Sequence, residues 1–163
     1  MIATSMLVMF FLMYLHSYQL LDHAWFSETR LFMTLIMGGG MIIVMLLFML
    51  GMYRDATRNI AVISLAFLLL AGGIALVRSQ VTVSDTDYME GMIPHHSIAI
   101  LTSERARIQD PRVRKLADDI IKAQRREIRE MEWLIQDIRE HGIATSQAEA
   151  QSRAVPPFQG TPE

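Results

Sequence analysis

Three stretches of the chain, residues 2–21, 31–53 and 59–77, contain no Asp, Glu, Lys or Arg. Each is close to the roughly 20 residues that a helix needs to cross the ~30 Å hydrocarbon core of a bilayer. The pattern predicts three transmembrane helices at about those positions, forming a membrane domain over residues 1–78. The first stretch reads as a span rather than a cleaved signal peptide, because no basic residue precedes it and no small-x-small pattern ends it. Orientation follows from the short connectors. Residues 53–59 hold Arg54 and Arg58 against Asp55, whereas residues 22–30 hold Arg30 against Asp22 and Glu28. The 53–59 connector is therefore expected in the cytoplasm, with the N-terminus inside and the C-terminal half outside; Arg78, at the outer end of the third stretch, argues mildly the other way. In a bacterial cell that placement is the cytoplasmic membrane, with a periplasmic or extracellular domain.

Charge divides the chain at the same place. Residues 1–84 carry four basic and three acidic side chains, and residues 85–141 carry ten and twelve. A formal net charge of −2 without a basic block leaves no electrostatic footprint for nucleic acid. The absence of cysteine excludes a disulfide scaffold, a thiolate zinc site, an iron–sulfur cluster and a cysteine nucleophile. Methionine is in excess, with thirteen residues, nine of them between Met6 and Met52. Met33, Met37, Met41, Met45, Met49 and Met52 form a slowly winding ridge on the second stretch, and Met6, Met9 and Met13 repeat the theme on the first. Such a ladder suits a soft ion. Packing around Gly38, Gly39 and Gly40 is the preferred reading, because methionine fills gaps and glycine admits close helix approach. His16 and His23 read as interfacial polar residues.

Residues 79–84 form a linker, and residues 85–142 read as an antiparallel helical hairpin. Its first helix is expected over 85–108, with Ser84 or Asp85 as cap; its second is expected over 111–140, opened by Pro111 and stopped by Gly142. Val113, Leu116, Ile120, Gln124, Ile128, Met131, Leu134 and Ile138 mark one apolar stripe, broken by Gln124. Two helices cannot enclose their own stripe, so a homo-oligomer, a dimer at least, is expected to complete a four-helix bundle. Residues 143–163, with Pro156 and Pro157 and no sustained period, are expected to be disordered.

The strongest chemical signal is Met89-x-x-Met92-Ile93-Pro94-His95-His96. At 100° per residue, Asp85, Met89, Met92 and His96 share one face, while His95 lies about 100° away. A kink at Pro94, eased by Gly91, is expected to turn His95 inward. Folding the hairpin at Gln109–Asp110 sets Met131 opposite Met89, Glu127 opposite Met92 and Gln124 opposite the two histidines. Gln124 or Glu127 then orients an imidazole through its second nitrogen, with Asp85 nearby. Thioether and imidazole without thiolate favour Cu(I), and Ag(I) by the same softness. Each methionine also lies on an apolar stripe, where packing is the ordinary role, so ligation and packing both stay open on the residues alone.

That run, followed by Leu116-Ala117-x-x-Ile120-Ile121-x-x-Gln124-x-x-Glu127-Ile128-x-x-Met131-x-x-Leu134, resembles the domain-of-unknown-function family 305 over about residues 85–138. The resemblance implies a ferritin-like helical bundle. Because some periplasmic members bind copper or silver, it implies metal ligands at Met89, Met92, His95, His96 and Met131, the set that the helix-face geometry also selects. The Met-rich stretches before it are similar to those of the family's membrane-anchored branch. Tyr88 stands where an aromatic is usual, and Ser97 where many relatives place Gln.

The expected protein is all-α: three transmembrane helices carrying an external hairpin that handles copper. The competing reading is a structural membrane protein whose hairpin mediates self-association or partner binding, with Met and His as packing. An enzyme is not expected. No Glu-x-x-His occurs, as a carboxylate-bridged di-iron bundle requires, and no Ser–His–Asp arrangement, phosphate-cradling loop or zinc-hydrolase motif is present.

Overall fold

A computed structural model of the chain describes residues 2–13 and 27–161. Among the described residues the protein is all-α, and the chain divides into two compact units. The first holds α1 (Ile2–Leu12), α2 (Glu28–Met49) and α3 (Ala56–Ser79); the second holds α4 (Asp85–Arg105), α5 (Pro111–His141) and α6 (Gln147–Ser152).

In the first unit, α2 and α3 are 22 and 24 residues long, and both are long and apolar enough to cross a bilayer. At ~1.5 Å per residue they extend about 33 and 36 Å, against a hydrocarbon core of ~30 Å. The first expected span is seen only as the 11-residue α1, since residues 14–21 lie outside the described residues. His16 and His23 lie outside them too. Side-chain caps set the helix starts: Ser27 accepts from the Arg30 amide, and Asp55 accepts from the Arg58 amide. Gln80, left-handed at φ 52°, ends α3 and accepts a hydrogen bond from Thr29, while Thr82 donates to Glu28. The start of α2 is thus tied to the end of α3.

Two of the three adjacent glycines explain how the helices pack. The Met6 side chain of α1 occupies the space where a Gly38 Cβ would project. A Cβ on Gly39 would lie 2.7 Å from the Ala66 carbonyl oxygen of α3, and Gly73 faces Phe32 and Ile36 of α2 with similar closeness. Gly40 has open space. The methionine ridge of α2 is divided: Met33, Met37 and Met52 are exposed, while Met41, Met45 and Met49 are half-buried. Met6 serves as packing against Gly38.

In the second unit, Ser84 and Asp87 form a reciprocal capping box at the start of α4. Asp110 caps α5 ahead of Pro111, and Arg112, folded back onto its carboxylate, holds the Asp110 carboxyl below the usual carboxylate range. Gly142, at φ 81°, stops α5 as expected. Met89, Ile93 and Ile100 of α4 pack against Ile121, Ile128 and Ile135 of α5, flanked by Met131, Leu134 and Ile138.

Two expectations change here. The buried line of α5 is Ala117, Ile121, Ile128 and Ile135, rotated by about 60° from the expected stripe. Val113 and Leu116, on that stripe, are exposed. Residues 143–161 of the tail, expected to be disordered, include a short helix and several fastenings. Residues 147–152 form α6, Arg153 pairs with Asp137 at 2.8 Å, and Arg129 donates to the carbonyls of Gln159 and Thr161. The physical reason is the set of pins from α5, Asp137 and Arg129, which hold the tail beside the second apolar line at Met131, Leu134 and Ile138, where Ile143 and Val155 line the same groove while staying largely exposed.

The glycine contacts give a paired test. Gly39→Ala forces a Cβ against backbone and should cost about 1–3 kcal/mol. Gly40→Ala, with open space and better helix propensity, should be neutral or stabilising by up to about 1 kcal/mol. Thermal unfolding of the full chain in detergent measures both, and equal effects would contradict this packing.

Candidate functional site

The helix-face geometry places the five expected ligands on α4 and α5, and the structure sorts them into three environments. Met89 and Met131 come together. They line one groove of about 470 Å³, whose floor continues through Tyr88, Leu134 and Ile138, with Asp85 and Asp137 at its margin. Met89 is only 7% exposed because it also belongs to the isoleucine seam, and Met131 packs against the edge of that seam.

His96 lies two turns beyond Met89, about 10 Å along the axis. Its side chain is 12% exposed and engaged at both ring nitrogens. Nδ1 lies 2.9 Å from the Met92 carbonyl oxygen, and Nε2 lies 2.9 Å from Glu127 Oε2. Both neighbours are hydrogen-bond acceptors, so a metal ion reaching Nε2 has to displace Glu127. Of the two α5 residues considered as partners for a histidine, Glu127 is the one that meets His96. Gln124 is half-buried and, among the described residues, hydrogen-bonds to neither histidine.

His95 is the third environment. α4 runs unbroken through the buried Pro94, and His95 stays on the exposed surface, its ring centroid 6.1 Å from that of His96. The expected inward turn does not occur. A proline in mid-helix loses one hydrogen bond, but the surrounding seam holds the axis, with Ile93 and Ser97 fully buried on either side. Met92, one turn before His96, is half-buried and contributes its carbonyl to the ring. Among the described residues, no group of three or more His, Asp or Glu side chains is placed to hold a metal ion. The soft pair in the groove is what the fold assembles.

Polar pairs align the two helices around these residues. Arg139 reaches Glu90 at 2.7 Å, Arg125 pairs with Glu104, and Arg114 donates to the Ser103 carbonyl. Sequence reasoning did not find the groove's other wall, which is built from the tail: Ile143, Ala144, Ala150, Arg153 and Val155. The available signal was Arg153, the one basic side chain after residue 141.

Residues 77–161 match the family described as Domain of unknown function (DUF305). The chain belongs to this family. The match takes in the last turn of α3, the hairpin and the tail through α6. An uncharacterized protein of Acanthamoeba polyphaga mimivirus is 35% identical over 108 residues, covering 65% of this chain and 69% of that relative. No solved structure matches the chain. The DUF305 region thus includes both thioethers of the groove, the His96–Glu127 pair and the tail residues that wall the groove.

The His96–Glu127 contact is measurable by a double-mutant cycle with His96→Ala and Glu127→Ala. Unfolding would be followed by Trp133 fluorescence in a Trp25→Phe background. With Glu127 partly exposed, a coupling of about 0.5–1 kcal/mol is expected. Strictly additive single effects would mean that the pair is not formed.

Proposed function

We propose that this DUF305 protein is a membrane-anchored, periplasm-facing protein that handles Cu(I), and by the same chemistry Ag(I), without being an enzyme. The observation that carries this reading is the convergence of Met89 and Met131, from two helices, on one groove. Neutral thioether sulfur is a soft ligand suited to a d¹⁰ monovalent ion and poorly suited to magnesium, calcium or zinc. The donor set fits such an ion. Met92 and His96 are the further ligands of the proposal, His96 entering as Glu127 is displaced, with His95 as an exposed donor at the surface.

Anchoring is supported by α2 and α3, which are long enough to span and apolar on their outer faces, where Phe48, Phe67 and Leu68 are exposed. In this reading residues 2–21 form a third span, the N-terminus is cytoplasmic, and the hairpin is outside a bacterial cytoplasmic membrane. A dimer pairs two hairpins across the exposed Val113 and Leu116. One observation favours the alternative, a structural hairpin for self-association or partner binding: Met89 is core-buried and both nitrogens of His96 are occupied.

The discriminating experiment is competition between the full chain in mild detergent and a colorimetric Cu(I) chelator. Replacing Met89 and Met131 together by Leu keeps volume and apolarity, so the fold should persist while affinity falls at least about tenfold, or ~1.4 kcal/mol. Absence of Cu(I) binding by the wild-type chain, or equal binding by the double variant, would leave the structural reading.

A further inference from the structure

The groove that holds the two thioethers is half built from a segment that neither helix of the hairpin supplies. Its floor comes from α4 and α5. Its roof is Ile143, Ala144, Ala150, Arg153 and Val155, from the stretch that runs back along α5 after Gly142. We propose that residues 143–161 are a strap that closes over the Met89–Met131 groove and sets the rate at which a soft metal ion enters and leaves it. Arg153 is the positioning residue that holds the strap shut.

The fastenings are few and identifiable. Arg153 sends Nη1 to Asp137 Oδ2 at 2.8 Å, and both side chains are largely withdrawn from water, at 18% and 13% exposure. The same guanidinium bonds the Gly142 carbonyl at 3.3 Å and Glu149 at 3.3 Å, so one side chain ties α6, the end of α5 and the strap's first turn together. Farther along, Arg129 of α5 donates to the Gln159 and Thr161 carbonyls at 2.9 and 3.1 Å. Gly160 lies so close to the Lys122 backbone that a Cβ there would collide with it. The strap is therefore pinned at its middle, by Arg153, and near its C-terminal end.

Ahead of the Arg153 pin its regular structure is the six residues of α6, capped by Ser146. A helix that short has no stability of its own, because nucleation is unfavourable and few bonds follow it. Its order comes chiefly from the pins, because Ile143 and Val155, which line the groove, remain 56% and 38% exposed. Segments held by so few contacts open locally at much lower cost than the core. The seam beneath does not need the strap: Ile93, Ile100, Ile128 and Ile135 are closed by the two helices themselves. Lifting the strap thus bares Met131 without unfolding the hairpin.

The cargo rests on the metal-handling reading; the strap's closure does not, and the test separates them. The full chain in detergent is compared with Arg153→Ala, Arg153→Lys and Gly160→Val, each checked for wild-type helix content. The first readout uses no metal: sulfoxide formation at Met131 in dilute hydrogen peroxide, followed by peptide mass spectrometry and normalised to Met52. Expected is at least threefold faster oxidation of Met131 in Arg153→Ala, faster oxidation in Gly160→Val, near-wild-type protection in Arg153→Lys, and no change at Met92. The second readout is the rate of transfer of bound Cu(I) to excess chelator, expected to rise by a similar factor in the same variants. Unchanged Met131 oxidation across all variants overturns the strap, whether or not the protein binds copper. Unchanged Cu(I) transfer despite faster oxidation also overturns the proposal, since the strap then does not govern metal access. A wild-type chain that binds no Cu(I) but shows the oxidation pattern overturns the metal-handling reading while upholding the closure.

Discussion

The burial of one isoleucine seam between two helices is the constraint from which the second unit follows. Ile93 and Ile100 meet Ile121, Ile128 and Ile135 with Met89 at one end, and burying each such side chain contributes roughly 1.5–3 kcal/mol. A pair of helices can close one line of contacts and leaves the adjacent lines wet. On α5 the adjacent line carries Met131, Leu134 and Ile138 toward its C-terminal half and Val113 and Leu116 toward its start. The chain solves the first half internally by folding its own tail back, and leaves the second half exposed. The groove is the imperfect joint between that tail and the seam. Its placement is a consequence of which side of α5 the seam does not use.

The seam also decides which ligands are available. α4 continues unbroken through the buried Pro94 with His95 left outside, and the seam sets His96 beside Glu127 on α5. The His96 ring already has an acceptor beside each nitrogen, and recruiting Nε2 means exchanging its hydrogen bond with Glu127 for a metal bond. A thioether in an apolar groove gives up only dispersion contacts. Met89 and Met131 are thus the groups a soft ion reaches at least cost, although the paired histidines are the more conspicuous feature of the sequence.

Much of the fold was legible because its signals are local. The caps at Ser84 and Asp110, Pro111 at the second helix start and Gly142 at its stop mark the hairpin within a few residues, and uncharged length marks α2 and α3. The pairing of Met89 with Met131 followed from equal rise on antiparallel helices. The errors arose where tertiary contact chooses among local options. Val113, Leu116 and Ile120 share helical spacing with Met131, Leu134 and Ile138, yet Ala117 and Ile121 lie about 60° around and pack better against α4. The tail lacks periodicity because it is shaped by pins rather than by its own hydrogen-bond ladder, and no sequence period records that Arg153 meets Asp137. The three adjacent glycines of α2 were read as one close-approach patch; Gly38 and Gly39 carry it, and Gly40 meets open space.

Packing alone does not explain why Met, and not Leu, stands at both 89 and 131. The two side chains have similar volume, and exchanges between them in cores usually cost under about 1.5 kcal/mol, so the seam is nearly indifferent to the choice. Leu would be the better-defined core residue, since Met gives up more rotamer freedom on burial. What Met adds is a polarizable sulfur on a side chain with three rotatable bonds, which can swing into a groove while the backbone stays fixed by its isoleucine neighbours. Two such side chains at the edge of the seam, lining one groove beside a segment held by Arg153 and Arg129, make a site whose scaffold is fixed and whose ligands can move. That division suits transfer of an ion better than permanent retention, because an entering or leaving ion needs only the ligands and the cover to rearrange.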